Sequence, residues 1–252
     1  LKRETHRQAL LAAAYKRHFP EIPADFTPYF GGLDEEHYLA DLRRAILGNC
    51  LPENVVLLEI TPGEQKTRVD FACTHAMLGI KPLCVTKVIK RGKQLFYDAR
   101  DPRLARDRYM SCASCHNDGA HDGRVWDLTH AGEGLRNTIA LRGRGGMGHG
   151  FLHWSNNFDE VQDFEGQIRA LAQGSGLMRD ADFNAGTRSQ PLGDRKAGVS
   201  ADLDALAAYL GSLNRFDSSP LRAADGSLTP AATAGRAVFS SAGCASCHAG
   251  DP

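Results

Sequence analysis

The spacing of apolar residues divides the chain into two parts. The first part combines stretches of helical spacing with short, continuous apolar runs that are typical of buried strands. Along the chain these predict a helix at 4–18, a helix at 34–47 with Asp34 as its N-cap, a strand at 54–60, a helix at 67–78 and a strand at 80–86. Residues 1–87 are therefore expected to form a small α/β segment with a β-α-β-like unit. Its function is left unassigned.

The rest of the chain consists of glycine-rich polar stretches with helical segments between them. The apolar spacing predicts helices at 159–171 and 200–213, the second with Ser200 as its N-cap. A further helix is predicted after Thr229, with Pro230 in its first turn. This part is expected to be mainly α-helical with long loops.

Length and charge restrict the class of protein. The 252 residues suffice for two domains, and 30 basic side chains balance 30 acidic ones. This balance gives no overall field that favours nucleic acid, so no nucleic-acid partner is expected. No apolar run approaches the roughly 20 residues of a transmembrane helix. The opening LKRETHRQAL also lacks the apolar core of a secretory signal.

Two short cysteine motifs carry the chemistry of the sequence. Each is a C-x-x-C-H pentapeptide, the pattern of covalent c-type haem attachment, in which two thiols bond to the porphyrin and the histidine ligates iron. The predicted haem-binding residues are Cys112, Cys115 and His116 for the first haem, and Cys244, Cys247 and His248 for the second. Zinc is the alternative, but paired zinc motifs usually lie about 15–20 residues apart. These two motifs lie more than a hundred residues apart.

A weaker repeat precedes both motifs. The pattern G-x-x-x-F occurs at 92–96 and again at 235–239. In c-type cytochrome domains, a glycine and an aromatic residue on the N-terminal helix commonly pack against another helix beside the haem. The repeated position of the pattern favours two related haem modules.

Three cysteines remain outside the motifs, namely Cys50, Cys73 and Cys84. In an oxidising compartment an odd number of spare cysteines leaves one thiol unpaired. We expect all three to be small buried hydrophobic residues.

Over about residues 88–252 the chain resembles the bacterial di-haem cytochrome c peroxidase family, which includes di-haem enzymes of the methylamine-utilisation type. The resemblance rests on an ordered set of segments, namely RGKQLFYDARDPRL, the first haem motif, GLRNTIAL, HW and the second haem motif. It implies a first c-type haem domain at 88–215 and the start of a second, truncated one at 228–252. Because little sequence follows His248, we expect the natural polypeptide to continue.

The resemblance also implies roles for individual residues. Trp154 corresponds to a tryptophan that assists electron passage between the haems. Asn137 corresponds to a residue that helps to hold calcium between the haem domains, so Ca²⁺ is an expected further cofactor. His130 corresponds to the distal ligand of the first haem, and the competing candidates are His121, His149 and His153.

The sequence departs from the family pattern at two functional positions. A glutamate usually assists proton transfer during peroxide reduction, but the candidates here do not align with it; they are Glu133, Glu160 and Glu165. The second haem normally has a distal methionine, which we expect in the continuation of the chain. The catalytic base and that ligand are therefore unassigned.

The leading hypothesis is a periplasmic di-haem oxidoreductase of the peroxidase type, whose signal peptide is absent from this chain. It would reduce hydrogen peroxide at the first haem with electrons relayed from the second, using His130 and Trp154 as catalytic residues. Its expected partner is a small electron-donor protein of the cytochrome c or cupredoxin type, and a homodimer is compatible with the family. One alternative is a di-haem electron-transfer protein without peroxidase activity. Another is a di-haem module within a larger protein that oxidises a different substrate.

Overall fold

The computed structural model describes residues 5–23, 25–27, 29, 31–216 and 219–248, with side chains from residue 11 onward. Helices dominate, and short 3-10 turns connect several of them. In chain order the elements are α1 (Thr5–His18), α2 (Glu35–Leu47), β1 (Val56–Glu59), α3 (Arg68–Leu78), β2 (Lys81–Cys84), α4 (Val85–Tyr97), α5 (Cys112–Cys115), β3 (Val125–Leu128), β4 (Gly134–Asn137), α6 (Phe164–Ala170), α7 (Asp180–Phe183), α8 (Ala201–Ser212) and α9 (Pro230–Ser241).

The N-terminal part contains the predicted β-α-β unit. Strands β1 and β2 pair in parallel, with Val56 opposite Lys81, and α3 forms the crossover between them. Apolar side chains from α2, from α3 and from the start of β2 form its core; they are Leu42, Leu47, Leu78 and Ile80. The predicted unit is confirmed, whereas the proposed division of the chain into domains stays a prediction.

Three predicted helix starts have the predicted N-caps. The side chain of Asp34 accepts a hydrogen bond from the backbone N–H of His37 at the start of α2. The other two caps, Ser200 for α8 and Thr229 for α9, accept in the same way from Leu203 and Ala232. Local hydrogen bonding therefore sets where these helices begin.

Helices α4 and α8 pack tightly against each other and form the centre of the second part. Gly92 of α4 lies against the backbone of Ala205, and the Phe96 and Tyr209 rings meet edge to face at 5.2 Å between centroids. Leu95 and Leu203 bury their side chains in the same region. The first G-x-x-x-F pattern therefore packs on a second helix, as the sequence predicts.

The glycine-rich segment 174–199 has little regular structure, and buried carboxylates hold it in place. Glu165 is fully buried and accepts hydrogen bonds from the backbone N–H groups of Leu177 and Met178. Asp163 pairs with Lys196, whose side chain is 2% exposed. These bonds supply partners to backbone and charged groups that burial alone would destabilise.

Two features of the second part differ from the prediction. The predicted strand at 80–86 ends at Cys84, and α4 begins at once, because the apolar residues from Val85 to Phe96 recur at helical spacing. A β-hairpin also occurs in the part that was expected to be helical with long loops, with β3 and β4 antiparallel and Trp126 opposite Arg136. The expectation of a mainly helical protein with an α/β start is thus right at the coarse level.

Two smaller predictions also need correction. The segment predicted as a helix at 159–171 starts with a 3-10 turn, and α6 proper begins at Phe164. The spare cysteines are not buried, since Cys50 is exposed and both Cys73 and Cys84 are half-buried.

Among the described residues, no helix is both long enough and apolar enough to cross a bilayer.

Candidate haem site

The first C-x-x-C-H motif forms a single helical turn, α5. Ser111 and Ser114 cap it reciprocally, and the Ser111 backbone N–H donates to the Ser114 hydroxyl at 3.0 Å. Cys112 packs into the apolar cluster that contains Phe96 and Tyr209. Burial raises the pKa of Cys112 to about 11.

The histidine of the motif is held in the orientation that iron ligation requires. Nδ1 of His116 lies 2.9 Å from the carbonyl oxygen of Ile139, which can only accept, so Nδ1 carries the proton. Nε2 is then the nitrogen that can ligate a metal. Burial lowers the pKa of His116 below its ordinary value and favours the neutral, ligating form. The residues of the first motif therefore fit a c-type haem.

The segment after His116 is anchored by one carboxylate. Asp122 accepts hydrogen bonds from Trp126 Nε1 at 2.9 Å and from the Thr138 hydroxyl at 2.8 Å. Thr138 directly precedes Ile139, the partner of His116. The sequence alone assigns no role to Trp126. In the structure it donates a hydrogen bond to this carboxylate.

His130 lies in the short turn between β3 and β4, at Thr129–Ala131, and its side chain is exposed. Among the competing histidines, His153 is half-buried and fixed, because Nδ1 lies 2.8 Å from the Asn157 amide oxygen. His153 also has a left-handed backbone with φ of 64° and packs on the Phe158 ring. The assignment of His130 as the distal ligand stays a prediction.

The structure brings Trp154 and Asn137 together. The Trp154 indole N–H donates to the backbone carbonyl of Asn137 at 2.9 Å, and 53% of the tryptophan is exposed. The side chain of Asn137 is exposed. Within the described ranges, no group of three or more His, Cys, Asp or Glu residues is placed to hold a metal ion. Calcium binding at Asn137 stays a prediction.

The three glutamates considered as proton carriers have different surroundings. Glu165 is fully engaged by backbone N–H groups and Arg169, and Glu160 accepts from the backbone of Lys196 and Ala197. Both therefore have structural partners. Glu133 is 8% exposed, and it accepts hydrogen bonds from Ser155 and Asn157, which follow Trp154 in the same loop. No sequence pattern indicates this contact, because its partners are more than twenty positions away.

Comparison with known proteins identifies the segment that contains α4, the first motif, the hairpin and α6. Residues 86–170 match the sequence model of the family described as di-haem cytochrome c peroxidase. The predicted resemblance is confirmed over this segment. The similarity points to c-type haem as cofactor and to an oxidoreductase type of activity.

A curated relative extends beyond that segment. Hydrazine synthase subunit gamma from Kuenenia stuttgartiensis is 37% identical over 173 residues, which cover 66% of this chain and 44% of the relative. The chain thus spans less than half the length of that protein. No solved structure matches the chain.

The second motif has a different environment from the first. Cys244, Cys247 and His248 are exposed, and so are Val238 and Phe239 of α9. A Cβ at Gly235 would meet no atom within 4 Å, in contrast to Gly92. The described residues therefore build a packed surround for the first motif only. A second haem domain stays a prediction.

Proposed function

We propose that this chain is a di-haem c-type oxidoreductase of the peroxidase type, which reduces hydrogen peroxide at the first haem with electrons from the second. The observation that carries the proposal is the half-buried imidazole of His116, fixed by the Ile139 carbonyl, beside the half-buried Cys112. When bound, the haem supplies one-electron redox chemistry and an iron site for a small oxidant. The family match supports this chemistry at a coarser level.

The residues of the chain would divide the work. Cys112 and Cys115 would anchor the porphyrin, and His116 would hold the iron from the proximal side. His130, in an exposed turn, would cover the distal side and move when substrate binds. Trp154, held through its indole N–H, would assist electron passage. Cys244, Cys247 and His248 would hold the second haem.

The remaining parts of the proposal concern partners and location. The electron donor would be a small cytochrome c or cupredoxin-type protein, and Ca²⁺ near Asn137 would stabilise the junction of the haem domains. Attachment of c-type haem usually takes place outside the cytoplasm, so the protein would work in the periplasm. A homodimer fits the same family pattern.

A second candidate function is favoured by one observation. The relative that is 37% identical over 173 residues is a subunit of hydrazine synthase. The chain would then serve within a larger assembly whose substrate is a nitrogen compound rather than peroxide. Electron transfer without any substrate chemistry is a third outcome.

Visible spectra of the haem-loaded chain distinguish these functions. We would record spectra of the oxidised and half-reduced protein with and without hydrogen peroxide. We would then compare His130→Ala with the control His18→Ala, which removes an exposed histidine of α1, far in sequence from the haem motifs. Peroxide turnover, with the first haem already open in H130A and unchanged in H18A, supports the peroxidase. Two low-spin haems that ignore peroxide in every state would rule it out. A peroxide-inert haem that binds a small nitrogen compound would favour the second candidate.

A further inference from the structure

Asp122 connects parts of the first haem site that are distant in sequence. One carboxylate oxygen accepts from the Trp126 indole N–H at 2.9 Å, and the other accepts from the Thr138 hydroxyl at 2.8 Å and from the Arg124 backbone N–H at 3.0 Å. The carboxylate thus joins both strands of the hairpin to the loop that follows the haem motif. Hydrogen bonds from two side chains and one backbone N–H fix the position of the Asp122 carboxylate.

The connection reaches His116 through the main chain. Thr138 is followed by Ile139, whose carbonyl oxygen accepts the Nδ1 proton of His116 at 2.9 Å. The next residues are fixed as well, since the backbone N–H groups of Leu141 and Arg142 both donate to the carbonyl of Gly119. The position of the carbonyl that orients the imidazole therefore depends on the anchor at Thr138.

Asp122 also brings a carboxylate to the haem motif. It is linked to His116 through the Thr138 hydroxyl and the carbonyl of the adjoining Ile139. A negative charge at this position would favour the oxidised, more positive state of a nearby iron.

We propose that Asp122 is a positioning residue for the proximal ligand of the first haem. It fixes the Ile139 carbonyl that orients His116, and its charge holds the midpoint potential of that haem low. Trp126 takes part as a donor that orients the carboxylate. The inference rests on the part of the proposed function that places a haem at the first motif, and it is independent of the substrate.

Spectroelectrochemical titration of the haem-loaded chain tests the proposal. In Asp122→Asn the midpoint potential of the first haem is expected to shift to more positive values, while that of the second haem stays the same. The control is Asp107→Asn, because Asp107 is exposed and pairs with Arg106 outside the haem motif and the hairpin. D107N is expected to leave both potentials unchanged.

A second variant separates position from charge. Thr138→Val removes the anchor but keeps the carboxylate, so it is expected to lower the resonance Raman frequency of the iron–histidine bond, and Thr138→Ser is expected to restore it. An unchanged frequency in T138V, or equal potential shifts in D122N and D107N, overturns the proposal. Should D122N fail to incorporate haem, the Raman frequency of T138V alone decides.

A protein that does not react with peroxide, but whose first-haem potential still responds to D122N, contradicts the proposed peroxidase function and leaves the role of Asp122 intact.

Discussion

Gly92 lies so close to Ala205 that a Cβ atom at position 92 would be 1.9 Å from the Ala205 carbonyl oxygen. No flexible side chain can yield there, because the opposing atom belongs to the backbone of α8. The close approach of α4 and α8 therefore depends on the absence of a side chain at this one position. It also explains why the first G-x-x-x-F pattern needs its glycine.

Gly92→Ala is expected to lower the free energy of unfolding by about 3 kcal/mol, because the two helices must separate to admit the methyl group. Urea titration followed by circular dichroism measures this. Gly235→Ala is the matched control on α9, where a Cβ meets nothing within 4 Å. Alanine at this position should stabilise α9, because its helix propensity is more favourable than that of glycine by roughly 1 kcal/mol. Equal destabilisation by both changes would contradict the packing argument.

Lys196→Met is expected to destabilise the protein by about 3–5 kcal/mol, since it leaves the Asp163 carboxylate buried without its cation. The pair is deeply buried, with side-chain exposures of 2% and 0%. The double variant Lys196→Met with Asp163→Asn should recover most of the lost free energy of unfolding, because neither residue is then charged. Removal of the exposed Arg179–Asp182 pair by Arg179→Ala serves as the control and should cost less than about 1 kcal/mol. The comparison uses thermal or urea unfolding.

The contact between Arg91 and Asp202 is expected to weaken in acid. Hydrogen bonds from the Arg91 guanidinium, and then from Arg103, hold the pKa of Asp202 below its ordinary value. A carboxyl with a depressed folded-state pKa stabilises the protein fully above its unfolded pKa, which is about 3.9. That stabilisation is lost as the pH falls through the folded value.

The difference in unfolding free energy between the wild type and Asp202→Asn should therefore be constant from pH 7 to about pH 5 and shrink below about pH 4. Urea unfolding across this range gives the measurement. Asp107→Asn removes an exposed carboxylate beside Arg106 and should show no comparable dependence on pH. A D202N difference that grew in acid would have the wrong sign for this mechanism.

Cys84 is expected to react with iodoacetamide at a lower pH than Cys73. The Thr61 backbone N–H donates to the Cys84 sulfur at 3.3 Å and, with other backbone donors, lowers the pKa of that thiol. Burial, and then Asp70, raise the pKa of Cys73. Alkylation of each cysteine, followed by peptide mass spectrometry between pH 6 and 10, gives two midpoints. Coincident midpoints would show that the backbone donors have no effect on Cys84.

The sequence predicted best where the signal is local. The caps at Asp34, Ser200 and Thr229 are correct because each satisfies helix N–H groups within three residues. Helix α4 was partly misread as strand because its start, Val-Thr-Lys-Val-Ile, is rich in β-branched residues. Its helical form is fixed by packing on α8, and that contact involves residues about 110 positions away.

The candidate site follows the same rule. The attachment residues Cys112, Cys115 and His116 are readable because covalent haem chemistry requires that spacing. The partner of His116 is a backbone carbonyl 23 positions away. Any residue type can supply a carbonyl, so no side-chain pattern marks Ile139. The role of Asp122 depends on Thr138, 16 positions away, so no local pattern indicates it.

The joining of α4 to α8 has a consequence for the order of assembly. Arg91 and Asp202, which join these helices, are 111 positions apart, so closing the loop between them carries a large entropy cost before the contact stabilises it. The Cys112 thiol lies within the cluster that α8 completes with Leu206 and Tyr209. Haem attachment needs access to that thiol. The cofactor is therefore expected to join a chain that is still open, before α8 closes over Cys112.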